Sequence, residues 1–211
     1  MSNALTNDAV PRAIISDELF AEAILCCDPE FLPDRQEWDS TGLDELAIGL
    51  MAFEFRDYSV ATSALMRVSE GDLPQFALAQ EWLGLTHLKA GHPELAIEPL
   101  RRALQLDEQL HRDPLTIAEC QFSLGLAYAR TGHEECALSE YRDALRCDPN
   151  WGIVLFEIAR VHAHRNRVID AVASLIDAAR QDDFYLARAQ HDFDFDAVRQ
   201  TPEFARLVGD R

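Results

Sequence analysis

Residues with metal-binding or redox side chains stand close together at three places in this 211-residue chain. Cys26 and Cys27 are adjacent, His133 precedes Cys136 by three residues, and the segment DFDFD at 192–196 alternates aspartate with phenylalanine. Adjacent thiols could form a redox switch, a histidine–cysteine pair could offer two zinc ligands, and closely spaced aspartates suit calcium. Each pattern is incomplete.

The missing partners favour structural roles for all three patterns. A zinc site needs four ligands, and Cys120 and Cys147 are not spaced to complete a set with His133 and Cys136. An EF-hand loop needs a glycine and a distant glutamate that DFDFD lacks. We expect the adjacent thiols to be small apolar residues on a helix, DFDFD to belong to a helical cap, and no metal or other cofactor to be bound.

Catalytic motifs do not stand out either. The sequence has no Ser–His–Asp order, no glycine-rich phosphate loop and no paired-carboxylate motif. The positions of His87 and His162 within the repeat described below predict core residues, and only His164 is expected in a groove. We therefore predict that the protein is not an enzyme.

The charge and the hydropathy of the chain limit its partners and its location. Asp and Glu number 37 against 19 Lys and Arg, which gives a formal net charge of −18. Such a surface repels phosphate backbones and anionic headgroups, so neither nucleic acid nor a membrane is the expected partner. No apolar run is long enough to span a bilayer, and the N-terminus MSNALTNDAVPRAII lacks the features of a secretory signal. These features predict a soluble cytoplasmic protein.

One spacing recurs four times along the chain. LGLTHLKAG at 83–91 and LGLAYARTG at 124–132 share leucine, glycine, a ring, a basic residue and a closing glycine. Offsets of 3, 7, 12, 16 and 19 residues from Gly125 carry a large, a turn, a small, a large and a small residue in turn. The same offsets from Gly49, Gly84 and Ala159 give related series.

Each unit of this repeat is predicted to form two helices. A glycine or asparagine supplies the left-handed backbone that ends the first helix, at Gly91, Gly132 and Asn166. Small residues such as Gly84 and Gly125 allow the two helices to approach closely. Because neither helix can bury its apolar stripe alone, the units must stack.

These residues resemble the tetratricopeptide repeat, a helix–turn–helix unit of 34 residues. The resemblance covers four units at 42–75, 77–110, 118–151 and 152–185, between an N-terminal helix and linker at 1–41 and capping helices at 186–211. It implies an all-α, right-handed superhelical array of repeats that acts as a non-catalytic protein-binding adaptor.

Prolines and extra residues modify the repeat. Seven additional residues around HRDPLTI predict one extra turn on each flanking helix, with Pro114 at the corner. Pro99 falls inside a second helix, where it removes one backbone hydrogen bond and is expected to bend the helix. Thr201 and Pro202 predict the start of a capping helix that carries Phe204 on its apolar side.

The resemblance implies a concave groove lined by the first helix of each unit. Its stripe is mostly apolar, and carboxylate-gripping family members have Lys, Asn and Arg where this chain has Leu and Phe, so a carboxylate clamp is excluded. The expected ligand is an apolar peptide or an amphipathic helix of a partner protein. The predicted partner-binding residues are Leu46, Leu50, Phe53, Leu85, Leu88, Lys89, Phe122, Leu126, Arg130, Phe156, Arg160 and His164.

Other occupants of this groove stay open at the level of the sequence. The helix at 17–27, the linker with Phe31, Leu32 and Trp38, or a second copy of the chain as a homodimer could fill it. The acidic, apolar-grooved array also resembles the chaperones of bacterial type III secretion, which implies a secretion-type co-chaperone. A self-assembling structural subunit is the third alternative. The basic groove residues could pair with an acidic partner or form a solvated face.

Overall fold

The computed structural model describes residues 45–209, and side chains through residue 207. The predicted N-terminal helix at 17–27, the linker at 28–41 and the adjacent thiols Cys26 and Cys27 lie outside the described residues. Residues 45–209 contain helices and turns and no strand, so this part of the chain is an all-α helical repeat array. None of its helices is both long and apolar enough to cross a membrane.

Eight helices of this range form four consecutive pairs. Within a pair the two helices pack extensively on each other, each second helix contacts the next pair, and the first helices of neighbouring pairs also touch. The pairs are α1 (Glu45–Glu54) with α2 (Tyr58–Leu65), α3 (Leu73–Ala90) with α4 (Pro93–Leu110), α5 (Pro114–Arg130) with α6 (Glu134–Ala144), and α7 (Gly152–His164) with α8 (Val168–Gln181).

The turns within the pairs adopt the predicted left-handed backbone. Gly91, Gly132 and Asn166 have φ values of 84°, 79° and 56°, and Arg56 takes the same conformation at the equivalent position, with φ 62°. A backbone N–H then closes each first helix, as when the Gly91 N–H donates to the Leu88 carbonyl at 3.3 Å. The turn prediction is confirmed at all three positions.

The extra residues between the second and third pairs are flanked by two long helices. Among the second helices, α4 spans 18 residues against 11 in α6 and 14 in α8, so the predicted extra turn is present. Among the first helices, α5 spans 17 residues, more than the 13 of α7 but not more than the 18 of α3. α5 begins at Pro114, because the Asp113 carboxylate accepts hydrogen bonds from the Leu115 and Thr116 N–H groups at 3.1 and 3.3 Å. α4 continues through Pro99.

Short helical segments cover the end of the array. They are α9 (Phe184–Ala189), a 3-10 helix (Phe193–Phe195), α10 (Asp196–Arg199) and α11 (Pro202–Gly209). Leu186, Phe195, Val198 and Phe204 are buried against Leu175 and Phe156 in one apolar cluster. The Phe204 N–H donates to the Thr201 hydroxyl at 3.4 Å, which is the predicted capping contact.

Candidate partner-binding groove

Most of the predicted groove residues lie in the packed interior. Seven of the twelve predicted residues are at most 8% exposed, so a partner could contact little of them in this structure. The expectation of an open apolar trough along all four units is therefore corrected for Leu46, Leu50, Phe53, Leu85, Leu88, Phe122 and Phe156.

The aromatic residues among them show the physical reason. Phe53 stacks edge-on against Trp82, with ring centroids 4.9 Å apart, in a cluster that also buries Leu46, Leu50 and Leu85. The Phe122 ring lies 5.3 Å from that of Trp151. These rings fill the space between neighbouring helices rather than facing solvent.

Phe156 is closed off by the C-terminal segments. Its ring centroid lies 5.5 Å from that of Tyr185 and 5.7 Å from that of Phe195, and the Arg188 guanidinium carbon lies 4.8 Å from it. The side chain is 0% exposed. Phe156 is therefore a core residue between α7 and the cap, and a partner in the groove cannot contact it.

Four of the remaining predicted residues meet at one open cavity between α5 and α7. Leu126 and Arg130 reach it from α5, and Arg160 and His164 reach it from α7. The fifth, Lys89, is exposed on α3 and does not line the cavity. The full lining is Leu126, Ala129, Arg130, Glu134, Glu157, Arg160, Val161, His164 and Asp194.

Carboxylates of the chain itself surround Arg160. Its guanidinium lies 3.0 Å from Glu157, 3.3 Å from Asp192 and 2.6 Å from Asp194. Burial lowers the pKa of Arg160, but these three carboxylates outweigh burial, and the net pKa lies above its ordinary value. Arg160 therefore stays charged and is already paired, which corrects the expectation that it awaits an acidic partner.

The aspartates of DFDFD are the residues that sequence reasoning missed here. Asp192 accepts the Asp194 N–H at 3.0 Å, which starts the 3-10 helix and directs both carboxylates toward Arg160. The segment does belong to a helical cap, as expected. Nothing in the periodicity of the repeat signals an ion pair between residues 34 positions apart.

Two further basic residues, His164 and Arg130, border the cavity. The His164 ring nitrogen Nδ1 lies 2.7 Å from Glu134 Oε1, and the same carboxylate accepts from Arg165 Nε at 3.1 Å. Arg130 Nη1 donates to the Leu88 carbonyl at 3.2 Å, which ties α5 to α3. Arg130 and His164 nevertheless remain exposed, so both can still meet a ligand.

The arrangement suits a side chain of a partner more than a small molecule. Leu126, Ala129 and Val161 form an apolar surface, and charges of both signs surround it. The cavity volume of about 210 Å³ is below the roughly 300–1,000 Å³ of typical small-molecule sites. Among residues 45–209, no three His, Cys, Asp or Glu side chains group so that they could hold a metal ion.

Comparisons with known proteins agree with this architecture. A family model described as a tetratricopeptide repeat matches residues 46–111. The chain is similar to a thermophilic TPR protein from Thermus thermophilus, with 22% identity and a TM-score of 0.51 over 79% of this chain and 94% of that one. At this identity the similarity shows the fold, and no curated protein matches the chain.

Repeats of this kind generally mediate protein–protein interaction, and the proteins that carry them are typically non-catalytic adaptors. The sequence match covers the first two helix pairs, and the structural similarity extends over most of the chain. The chain is therefore similar in sequence to the tetratricopeptide repeat over residues 46–111, and it shares the fold of a solved TPR protein over most of its length.

Proposed function

We propose that this protein is a non-catalytic adaptor that holds an apolar side chain of a partner protein in the cavity between α5 and α7. The observation that carries the proposal is the convergence of Leu126, Arg130, Arg160 and His164 on that cavity. The ligand enters from the side formed by the first helices, where Leu126 and Ala129 are partly exposed.

The charges of the cavity favour an apolar anchor. Arg160 is neutralised by carboxylates of the chain, and His164 is paired with Glu134, so the groove offers little uncompensated charge. An apolar residue of a peptide or of an amphipathic helix would bury the partly exposed surface of Leu126 and Ala129. Arg130, which is exposed, could then contact a polar group beside that anchor.

A matched pair of variants tests the location of binding. Ala129→Glu places a charge on the apolar surface of the cavity, whereas Ile169→Glu places the same charge on α8, at a residue that is 78% exposed and does not line the cavity. Tagged wild type and both variants are used for affinity purification from the host lysate with mass spectrometry. Both variants must first melt within a few degrees of wild type.

The experiment has three distinct outcomes. A protein that co-purifies with wild type and Ile169→Glu, and is lost from Ala129→Glu, supports the cavity as the binding site. A protein that is lost only from Ile169→Glu contradicts it and places binding on the outer helices. Binding that survives both substitutions also contradicts the proposal.

Two more specific roles would use the same groove. In a secretion-type co-chaperone the ligand is a hydrophobic segment of a client, and in a homodimer or a self-assembling subunit it is a second copy of the chain. Light scattering at micromolar concentration separates them, because self-assembly requires a mass above 23.8 kDa without any other protein. We also propose that nucleic acid is not a partner, on the basis of the net charge of −18. The free thiols of Cys120, Cys136 and Cys147 support a cytoplasmic location as part of the same proposal.

A further inference from the structure

Three carboxyl groups are buried where the second helix pair meets the third. Glu81 on α3 is 1% exposed, Asp107 on α4 is 0% exposed and Glu119 on α5 is 8% exposed. The Cys120 thiol, next to Glu119, is 0% exposed in the same region. α3 and α4 pack on each other and both contact α5. Each of these three helices contributes one of the acids, and we call their contact region the joint between the second and third pairs.

The hydrogen bonds of these acids are incomplete. Within residues 45–209, neither carboxylate oxygen of Glu81 has a hydrogen-bond partner, and one oxygen of Asp107 and one of Glu119 also lack one. The Arg112 guanidinium lies 3.2 Å from the other Asp107 oxygen. One guanidinium cannot neutralise three ionised carboxylates, and an unpaired charge is costly to bury.

The charges around the acids add to the effect of burial. Burial, then Asp107 and Glu119, raise the pKa of Glu81 to about 8, against the opposing effect of Arg112. Burial raises the pKa of Glu119 to about 7, with a further contribution from Asp113. Burial also raises the pKa of Asp107, and Arg112 opposes it.

The long connection between the pairs explains how the acids come together. α4 extends to Leu110, and this extension carries Asp107 beside the buried Leu106, which packs against Phe76 and Ala77 of α3. The turn after α4 then supplies Arg112. The joint therefore depends on the residues that depart from the regular repeat length.

We propose that Glu81, Asp107 and Glu119 form a proton-operated joint: protonation holds the second and third helix pairs together, and ionisation loosens their packing. The cavity between α5 and α7 lies on one side of this joint, and helices α1 to α4 lie on the other. Loosening of the joint would let these two parts of the array move relative to each other.

The direction of the pH effect follows from linkage. The folded-state pKa values of Glu81 and Glu119 lie above the ordinary value of 4.5. The stability that these groups contribute is therefore fully present below about pH 4.5 and is lost as pH rises through about 7 and 8. The loss of stability accumulates between about pH 4.5 and pH 8 and is complete above that range.

Thermal unfolding between pH 5.5 and 9 gives the first test. Glu81→Gln keeps the shape of the side chain and removes its charge, and Glu108→Gln, at an exposed position on α4, is the matched control. We expect the variant Glu81→Gln to melt at least about 3 °C above wild type at pH 9 and close to wild type at pH 5.5. Glu108→Gln should follow the wild-type curve, and parallel curves for Glu81→Gln and wild type would overturn the proposal.

Labelling of Cys120 gives a second readout, located by mass spectrometry of its peptide. Burial and the charge of Glu81 both raise the pKa of the Cys120 thiol, so Glu81→Gln would by itself favour the thiolate and speed labelling. A joint that opens predicts the opposite result: at pH 8.5, wild type should label at least tenfold faster than Glu81→Gln. Equal or faster labelling of the variant would overturn the joint, and Glu119→Gln provides the same comparison at the less buried acid.

Discussion

Arg160 Nη2 of α7 lies 2.6 Å from Asp194 Oδ2 of the C-terminal cap. This contact joins residues 34 positions apart and connects the last helix pair to the segments that cover it. Arg160 and Asp194 both line the cavity between α5 and α7. The same ion pair therefore holds the cap on the end of the array and forms part of the cavity wall.

Removal of the cap carboxylates should destabilise the end of the array. The double variant Asp192→Asn/Asp194→Asn leaves Arg160 with Glu157 as its remaining carboxylate among these partners. We expect a loss of about 1.5–3 kcal/mol, the range for hydrogen bonds to charged groups. Thermal unfolding measures the loss, and hydrogen exchange should locate it in residues 184–207.

The exposed pair between Asp177 and Arg180 is the control for this change. Its two side chains are 51% and 68% exposed, so Asp177→Asn should alter stability by less than about 0.5 kcal/mol. A double variant in the cap that is no less stable than Asp177→Asn would show that the ion pairs of Arg160 contribute nothing to holding the cap.

The assignment of Phe156 to the core predicts a large effect on stability. Phe156→Ala removes a fully buried ring from between α7 and the cap and should cost about 3–5 kcal/mol in the free energy of unfolding. Lys89→Ala, at an exposed position of α3, should stay within about 0.5 kcal/mol of wild type. Denaturant unfolding gives both free energies. A small loss of stability for Phe156→Ala would contradict the assignment of Phe156 to the core and would support the sequence-based prediction that it is a groove residue.

The helical array and its turns could be predicted from sequence because each depends on local geometry. Gly91, Gly132 and Asn166 occupy positions with positive φ, where few other residues are stable, so their spacing marks the end of each first helix. The small residues opposite large ones, such as Gly125 opposite Tyr141, likewise mark helix contacts.

The groove could not be predicted as well, because helical periodicity does not distinguish a buried face from an open one. Phe156 has the spacing of a groove residue, but the rings of Tyr185 and Phe195, which lie further along the chain, pack against it and make it part of the core. Similarly, nothing local to Glu81 shows that α4 will bring Asp107 beside it. Both features depend on contacts between residues far apart in the chain.

Pro99 is expected to limit the stability of α4. It lies inside the helix, where it lacks the N–H that would bond to the Leu95 carbonyl. Pro99→Ala regains up to about 3 kcal/mol of helix propensity and loses about 0.4–1 kcal/mol through the greater entropy of the unfolded chain. The net gain of about 2 kcal/mol should raise Tm by about 4–8 °C.

The proline at the start of the same helix provides the comparison. Pro93 occupies the first turn of α4, where no intrahelical N–H bond is lost. Pro93→Ala should therefore leave Tm unchanged or lower it slightly. Equal responses of the two variants would mean that α4 tolerates proline in its interior without cost.

The contact between Gly125 and Tyr141 predicts that a better helix former destabilises α5. A Cβ at position 125 would lie 2.4 Å from Tyr141 Cε1, and the Tyr141 ring is fully buried. Gly125→Ala gains about 1 kcal/mol of helix propensity but should lose about 1–3 kcal/mol through overpacking, so a net loss is expected.

At the equivalent position of α7, Ala159 is fully buried, and Ala159→Gly should also destabilise, by about 1 kcal/mol. Chemical denaturation of the two variants measures this, and a Gly125→Ala protein more stable than wild type would show that the Tyr141 ring can shift at little cost.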